Sequence, residues 1–376
     1  MGGNSSTHRT QEIRSEAPRI SRLLLEDSKS TLLPDVLLNL SNESMRTIRG
    51  GLFEPRDLTA AEDRLEEDPE EEPNIRLAGT SALDEPKPIV VSGDRCQVVA
   101  VDVSSVRVGE SEQGSLYSLR GAIVWRGDSG YNFGRCGPLT FHLNDEIART
   151  LSKKPPSSEH SSYYSWSPIT DRILARIRNT LERWMQSLAC SSISDGIVLL
   201  DGSLTSGTPD NPTAYLEGLL ANSRERGNTV IAFSKDTRLC FSGRKITRLL
   251  EKAAPPCMLN IDRLVGPQFP STPVRLLGRV YVAKIAQQGL TFRVDIDRRL
   301  QEEEAHREMG RLISSDLVEQ GYPETLRLAH ILSTFTASEV LAVQRHLSIT
   351  YGLRLAPRIS FRRALFGPYG TSTEAS

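Results

Sequence analysis

The sequence predicts a mixed α/β fold, and three observations carry that expectation. Three β-type runs follow one another over residues 97–143 (QVVAVDVSSVRVG, SLYSLRGAIVWRG and YNFGRCGPLTFHL), in the order of a meander. From residue 169 onward, helical and extended patterns alternate. The strands of that second half are apolar enough to be central in a sheet. A meander that leads into alternating helices and strands is the order of a ribonuclease H-like mixed sheet with flanking helices. Helical segments at the N- and C-terminal ends read as elaborations of it.

The first ninety residues differ from the rest. Residues 1–18 are polar and are expected to form a disordered tail. Residues 19–94 read as a helical and acidic N-terminal extension and linker. Leucines between Ile20 and Leu40 suit one or two short helices broken at Pro34. The run from Glu62 to Glu72 (EDRLEEDPEEE) reads as a solvated linker, with a partner-binding or autoinhibitory segment as the alternative. The main domain is expected over 95–355, followed by a tail over 356–376.

Within that domain, Ile169, Ile173, Ile177, Leu181 and Met185 form one apolar stripe and predict a helix over 169–189. Its other face is basic (Arg172, Arg176, Arg178, Arg183), either a solvated surface or a track for a phosphate backbone. A strand over 193–204, a helix beginning near Pro212, and a strand over 228–237 come next. A helix is then expected over 243–253. Strands over 274–286 and 290–297 flank a QQG turn, and the remainder reads as mostly helical.

Composition narrows the function classes. A formal net charge of −1 excludes a protein that is basic over its whole surface, but not a local basic groove. The cysteines (Cys96, Cys136, Cys190, Cys240, Cys257) show no CxxC spacing and read as reduced thiols. The absence of an eighteen-residue apolar run and of a signal-peptide core predicts a cytoplasmic protein with no membrane partner.

Two apolar strands end on acidic residues: VVAVDVSS carries Asp102 and GIVLLDGSL carries Asp201. Singly, each reads as a turn residue. Together, on strands that are central, they are harder to dismiss, because burying an unpaired carboxylate costs roughly several kcal/mol unless a cation or hydrogen bonds compensate. Carboxylates from two neighbouring strands make an oxygen-rich site for a hard divalent cation. A third ligand is expected from the helix upstream of Asp201, where Glu182 is the best placed candidate; as an isolated residue it also reads as an exposed helix position. In GYPETLRLAH, Pro323 suits a first helical turn, with Tyr322 at the helix entrance and His330 about 12 Å further along the axis. Lys235 ends the FSK strand and is placed to meet a phosphate.

In that order the residues resemble the NurA nuclease family. Its pattern is an early strand with Asp and a nearby Ser, a strand ending in DGSL, a strand ending in Ser-Lys, and a late Tyr-Pro followed by Ala-His. Here these stand as Asp102 with Ser104, LLDGSL ending at Leu204, Ser234–Lys235, and Tyr322–Pro323 with Ala329–His330. The resemblance covers about residues 96–350. It implies a ribonuclease H-like core and a manganese-dependent (or magnesium-dependent) deoxyribonuclease, acting as a 5′-to-3′ exonuclease and single-strand endonuclease. It also implies a homodimer that docks on a HerA-type hexameric translocase and resects DNA double-strand breaks. The metal ligands map to Asp102, Glu182 and Asp201. Tyr322 and His330 complete the catalytic set, and Ser104 and Lys235 meet the substrate. The long acidic N-terminal region departs from the family pattern. A catalytically inactive nucleic-acid-binding scaffold of the same fold is the alternative. An actin-like or sugar-kinase-type ATPase is disfavoured, because VDVSSVRVGE lacks a glycine between the aspartate and the hydroxyls.

Overall fold

Strand length organises this molecule. The run of β-branched residues after Gln97 extends without interruption from Val98 to Glu110 (β3), and its partner Ser115–Gly127 (β4) is equally long. These ranges come from a computed structural model. It describes residues 33–46, 48, 50–53, 75–77, 83–91, 93–127, 130–145, 147, 169–207, 212–267 and 274–356. The tail over 1–18, the leucine-rich stretch up to residue 32, the acidic run Glu62–Glu72 and residues 357–376 lie outside the described residues.

Eleven strands form one mixed sheet. The others are Gly51–Phe53 (β1), Lys87–Pro88 (β2), Gly130–Leu143 (β5), Ile197–Asp201 (β6), Thr229–Ser234 (β7), Cys257–Asn260 (β8), Gly278–Lys284 (β9), Phe292–Asp297 (β10) and Arg354–Ala356 (β11). The central order is β5-β4-β3-β6-β7, with β3, β6 and β7 mutually parallel and β4 and β5 antiparallel to their neighbours. That is the expected ribonuclease H-like sheet. Antiparallel strands β10, β9, β8 and β2 extend it beyond β7.

Alternation along β3 divides the core into two layers. Val99, Val101 and Val103 face one layer with Ile173, Ile177, Leu181 and Met185 of helix α2 (Ile169–Ser192), the stripe read from the sequence. Helix α1 (Leu33–Arg46) joins the same layer through Leu33, Leu37 and Leu40, and Ser41 Oγ donates to the Thr140 carbonyl of β5 at 2.6 Å. Pro34 lies in the first turn of this helix, where its missing N–H costs nothing. Helix α3 (Thr213–Glu225) follows Pro212 as expected. On the other face, Val98 and Ala100 pack with Leu326 and Ala329 of helix α5 (Glu324–Ser333) and with Met309 and Leu312 of helix α4 (Glu302–Ser315).

Two expectations are corrected. The helix predicted over 243–253 is a two-stranded hairpin, Cys240–Phe241 with Arg244–Lys245, followed by a 3₁₀ turn over Ile246–Leu250. Ser242 and Gly243 both have positive φ (48° and 76°), the conformation that the tightest hairpin turns demand, and this overrides the helical pattern after them. The apolar stretch Glu324–Tyr351 is long and apolar enough, by composition, to cross a membrane. Its helical geometry breaks at Thr334, and Thr336 caps a separate helix α6 (Ala337–Tyr351). Among the described residues all five cysteines are free thiols.

One buried ion pair ties the sheet together. Arg293 and Asp295 of β10 have fully buried side chains and share two contacts at 2.8 Å. Asp295 Oδ2 also accepts the Leu204 backbone N–H at 3.1 Å, which anchors the loop after β6. Replacing Arg293 by Ala should destabilise the fold by about 3–5 kcal/mol in urea titration, because Asp295 would stay buried without its cation. A loss below about 1 kcal/mol would contradict that role.

Candidate metal centre

The length mismatch between β3 and β6 opens the sheet. β6 pairs with β3 only along Val98–Ala100, and β1 meets the same edge only at Glu110. Among the described residues, no strand covers that edge between them, and Asp102 sits just past the last paired residue. Asp201 is the final residue of β6, so both carboxylates arrive at the same gap.

Asp102 is buried, and three donors converge on its Oδ2. They are Ser333 Oγ in a short contact, His330 Nδ1 at 3.2 Å and, more weakly, Ser104 Oγ at 3.5 Å. Burial alone would raise the pKa of this carboxyl. The hydrogen bonds from His330 and Ser333, and the positive charge of Lys235, outweigh it and hold the group below its ordinary value. An ionised carboxylate only accepts, so His330 carries a proton on Nδ1.

Asp201 contacts Lys235 Nζ at 2.6 Å through Oδ2, and the Tyr322 hydroxyl lies 3.5 Å from its Oδ1. The loop that follows is built to hold this position. Gly202 adopts φ 99°, its N–H donates to the Phe233 carbonyl at 2.8 Å, and Ser234 Oγ donates to the Gly202 carbonyl at 2.8 Å. In the Ser-Lys pair, then, the serine fastens the aspartate loop and the lysine meets the aspartate. A Cβ at Gly278 would lie 2.8 Å from the Cβ atoms of Leu204 and Asp295, so glycine is needed where β9 passes under the loop.

Tyr322 and His330 reach the site from opposite ends of one element. Tyr322 follows a tight turn at Gln320–Gly321 (φ 51° and 85°), and its ring packs edge-on to Phe233 with centroids 5.9 Å apart. α5 starts directly after Pro323, with Asp316 Oδ2 accepting the Thr325 N–H at 3.0 Å. Two turns later the helix delivers His330 and then Ser333. One ligand atom each from Asp102, Asp201 and His330 fall within 4.8 Å of one another.

Glu182 stands at the border of this group. Its carboxylate is not one of the three that cluster so tightly, and Gln186 Nε2 donates to its Oε1 at 2.9 Å. Burial, together with the charges of Asp102 and Asp201, raises its pKa to about 7. Arg178, one turn earlier and exposed, acts in the opposite direction. Arg183 is corrected as a backbone-tracking residue. It is buried, its Nε donates to the Asn179 carbonyl, and its guanidinium lies over the Tyr215 ring at 5.5 Å.

The donor set is oxygen-dominated, with one imidazole and no thiolate. Such a set suits Mn²⁺ or Mg²⁺ better than a soft metal. Several carboxylates share this space with one lysine in contact, and the charges of Asp102 and Asp201 add to burial in raising the Glu182 pKa. The residues fit a hard divalent cation. Ser333 was missed by sequence reading, since no motif contains it; its spacing of three from His330 on one helix face was the available sign.

No known sequence family and no curated protein matches this chain. Solved structures do. The NurA nuclease from Sulfolobus solfataricus is 18% identical, with a TM-score of 0.47 over 71% of this chain and 88% of that one. It is the family that the four motifs resemble. An endonuclease V from Bacillus subtilis is 13% identical, with a TM-score of 0.33 over 70% and 87% of the two chains. A Kluyveromyces polysporus Argonaute, solved with a guide RNA, is 10% identical, with a TM-score of 0.31 over 68% of this chain and 29% of that one.

Two outcomes follow from the charge balance. Glu182 binds its proton more tightly in the folded chain than at its ordinary value of 4.5, so stability falls as pH rises from there towards about 7. In metal-free buffer the Tm of the wild type should therefore drop more between about pH 5 and pH 8 than that of Glu182→Gln; equal slopes would contradict the shift. Lys235→Met should cost about 1–3 kcal/mol in chelator, since Asp201 loses its charged partner. Added Mn²⁺ should restore most of that loss, read as a recovery of Tm.

Proposed function

We propose that this chain is a divalent-metal-dependent deoxyribonuclease of the NurA type. The observation that carries the reading is the convergence of Asp102, Asp201 and His330 at an open sheet edge, with Lys235 and Tyr322 beside them. Asp102, Asp201 and His330 would hold the ion, and Glu182, on losing its proton, would add a further carboxylate. When bound, the ion supplies Lewis-acid polarisation of the scissile phosphate and an acidified water.

The chain's own groups supply the rest. Lys235, already beside Asp201, offers a cation to the phosphate oxygens. The Tyr322 hydroxyl lies at the same carboxylate, placed to donate to a phosphate or to set the ring against a terminal base. His330 is held in place by Asp102 through Nδ1. Arg178, exposed one turn before Glu182, adds a positive charge near that carboxylate. The resemblance of the four motifs to the NurA family supports 5′-to-3′ exonuclease and single-strand endonuclease activity, manganese as the preferred ion, a homodimer, a HerA-type translocase as partner, and a role in double-strand break resection.

The test is digestion of end-labelled single- and double-stranded DNA in Mn²⁺, with and without a HerA-type translocase, comparing wild type with Asp201→Ala. Wild type should cut. Asp201→Ala should fall by at least about 100-fold, the upper end of what losing even an outer partner of a metal ligand costs. Binding without cleavage under every condition would favour the inactive scaffold.

A further inference from the structure

Asp102 uses its two carboxylate oxygens unequally. Every hydrogen bond it makes to the described residues falls on Oδ2. None falls on Oδ1, and that atom is not among the fully buried unsatisfied ones. A buried carboxylate with one saturated oxygen and one bare oxygen can rotate only by breaking three contacts. One of the three comes from Ser333, whose side chain is completely buried at the end of α5. Ser333 is in turn fixed from two sides. Its Oγ lies 2.8 Å from Ser104 Oγ on β3 and 2.9 Å from the His330 carbonyl. Arg120, on the neighbouring strand opposite Ser104, donates to the Thr334 carbonyl at 3.2 Å and pairs with Glu339 at 2.8 Å. The residue after Ser333 is thus also held to the sheet.

We propose that Ser333, backed by Ser104, is a positioning residue that locks Oδ2 of Asp102 and reserves Oδ1 for the cation. The inference rests on the metal-dependent reading of this site. It reassigns Ser104 as well: its hydroxyl is committed to the Ser333–Asp102 pair, whereas the family resemblance placed it against substrate. The division of labour has a physical reason. A ligand oxygen that already receives hydrogen bonds is a weaker donor to a cation, and a carboxylate free to turn loses binding free energy when it is ordered. Saturating one oxygen with donors from a helix that the sheet holds at its far end removes both problems.

The experiment is Mn²⁺ binding to the full chain without DNA, read by electron paramagnetic resonance of free Mn²⁺, alongside Tm in chelator. Ser333→Ala should weaken Mn²⁺ by about tenfold or more, the usual cost of removing an outer partner of a metal ligand, read at a temperature where the variant is folded; its metal-free Tm should also fall, because the buried carboxylate loses a donor. Ser104→Ala should give a smaller loss. The double variant should bind little more weakly than Ser333→Ala alone, because Ser104 acts mainly through Ser333, 2.8 Å away, and only weakly on Oδ2 itself, at 3.5 Å. Wild-type affinity in Ser333→Ala overturns the positioning role while leaving the nuclease reading intact. If Ser333→Ala does not fold, Ser104→Ala decides, and an unchanged Mn²⁺ affinity there overturns the proposal. Absence of Mn²⁺ binding by wild type overturns both.

Discussion

Everything at the candidate site depends on a backbone constraint: β3 runs for thirteen residues and its parallel neighbour β6 for only five. Because β6 stops, the edge of β3 is left uncovered where Asp102 stands, and the chain leaving β6 turns away through Gly202. The gap is bounded on one side by α2, which carries Glu182, and on the other by α5. Its floor is the sheet, so the groups that line it are held by the most rigid part of the molecule.

Charge is the second constraint. Carboxylates brought together out of bulk water repel one another, and the fold offsets this in three separate ways. Asp102 is stabilised as an anion by hydroxyl and imidazole donors, Asp201 by the Lys235 ammonium, and Glu182 by keeping its proton. Each device is reversible by a divalent cation. That arrangement differs from the Arg293–Asp295 pair, which is wholly enclosed and serves the architecture. The two cases show why a buried acid alone says little about function. What separates them is whether the compensating charge is locked in the core or stands at an opening.

Placement of α5 links the two constraints. The helix is docked by Asp316 at its start, and Asp316 itself accepts the Tyr131 hydroxyl of β5 at 2.6 Å. At its other end Arg120 of β4 takes the Thr334 carbonyl and stacks on Phe335 at 4.2 Å. The long β4–β5 hairpin thus holds both ends of the helix that delivers His330 and Ser333. A meander that looks like plain scaffold in the sequence is what aims these side chains.

By itself, the sequence determined the local chemistry of the chain. The meander, the apolar stripe of α2, the strand ending on Asp201 and the helix start at Pro323 were legible because each depends on periodicity or local residue preference within a short window; Asp102, read as a strand end, instead lies inside β3, which continues to Glu110. The segment 243–253 reads as helix in the sequence, since the positive φ values at Ser242 and Gly243 outweigh a helical pattern only once the hairpin strands pair. Only the tertiary structure decided which acids meet. Asp102 and His330 are brought together by two unconnected elements, and Glu182 stands outside the tight cluster because the tilt and rotation of α2 against the sheet set its reach. Ser333 and Arg293 left no trace in any motif. Ser333 acts through Asp102, far along the chain, and Arg293 through Asp295, two residues on; what decides both roles is burial, which exists only when the sheet and helices have packed.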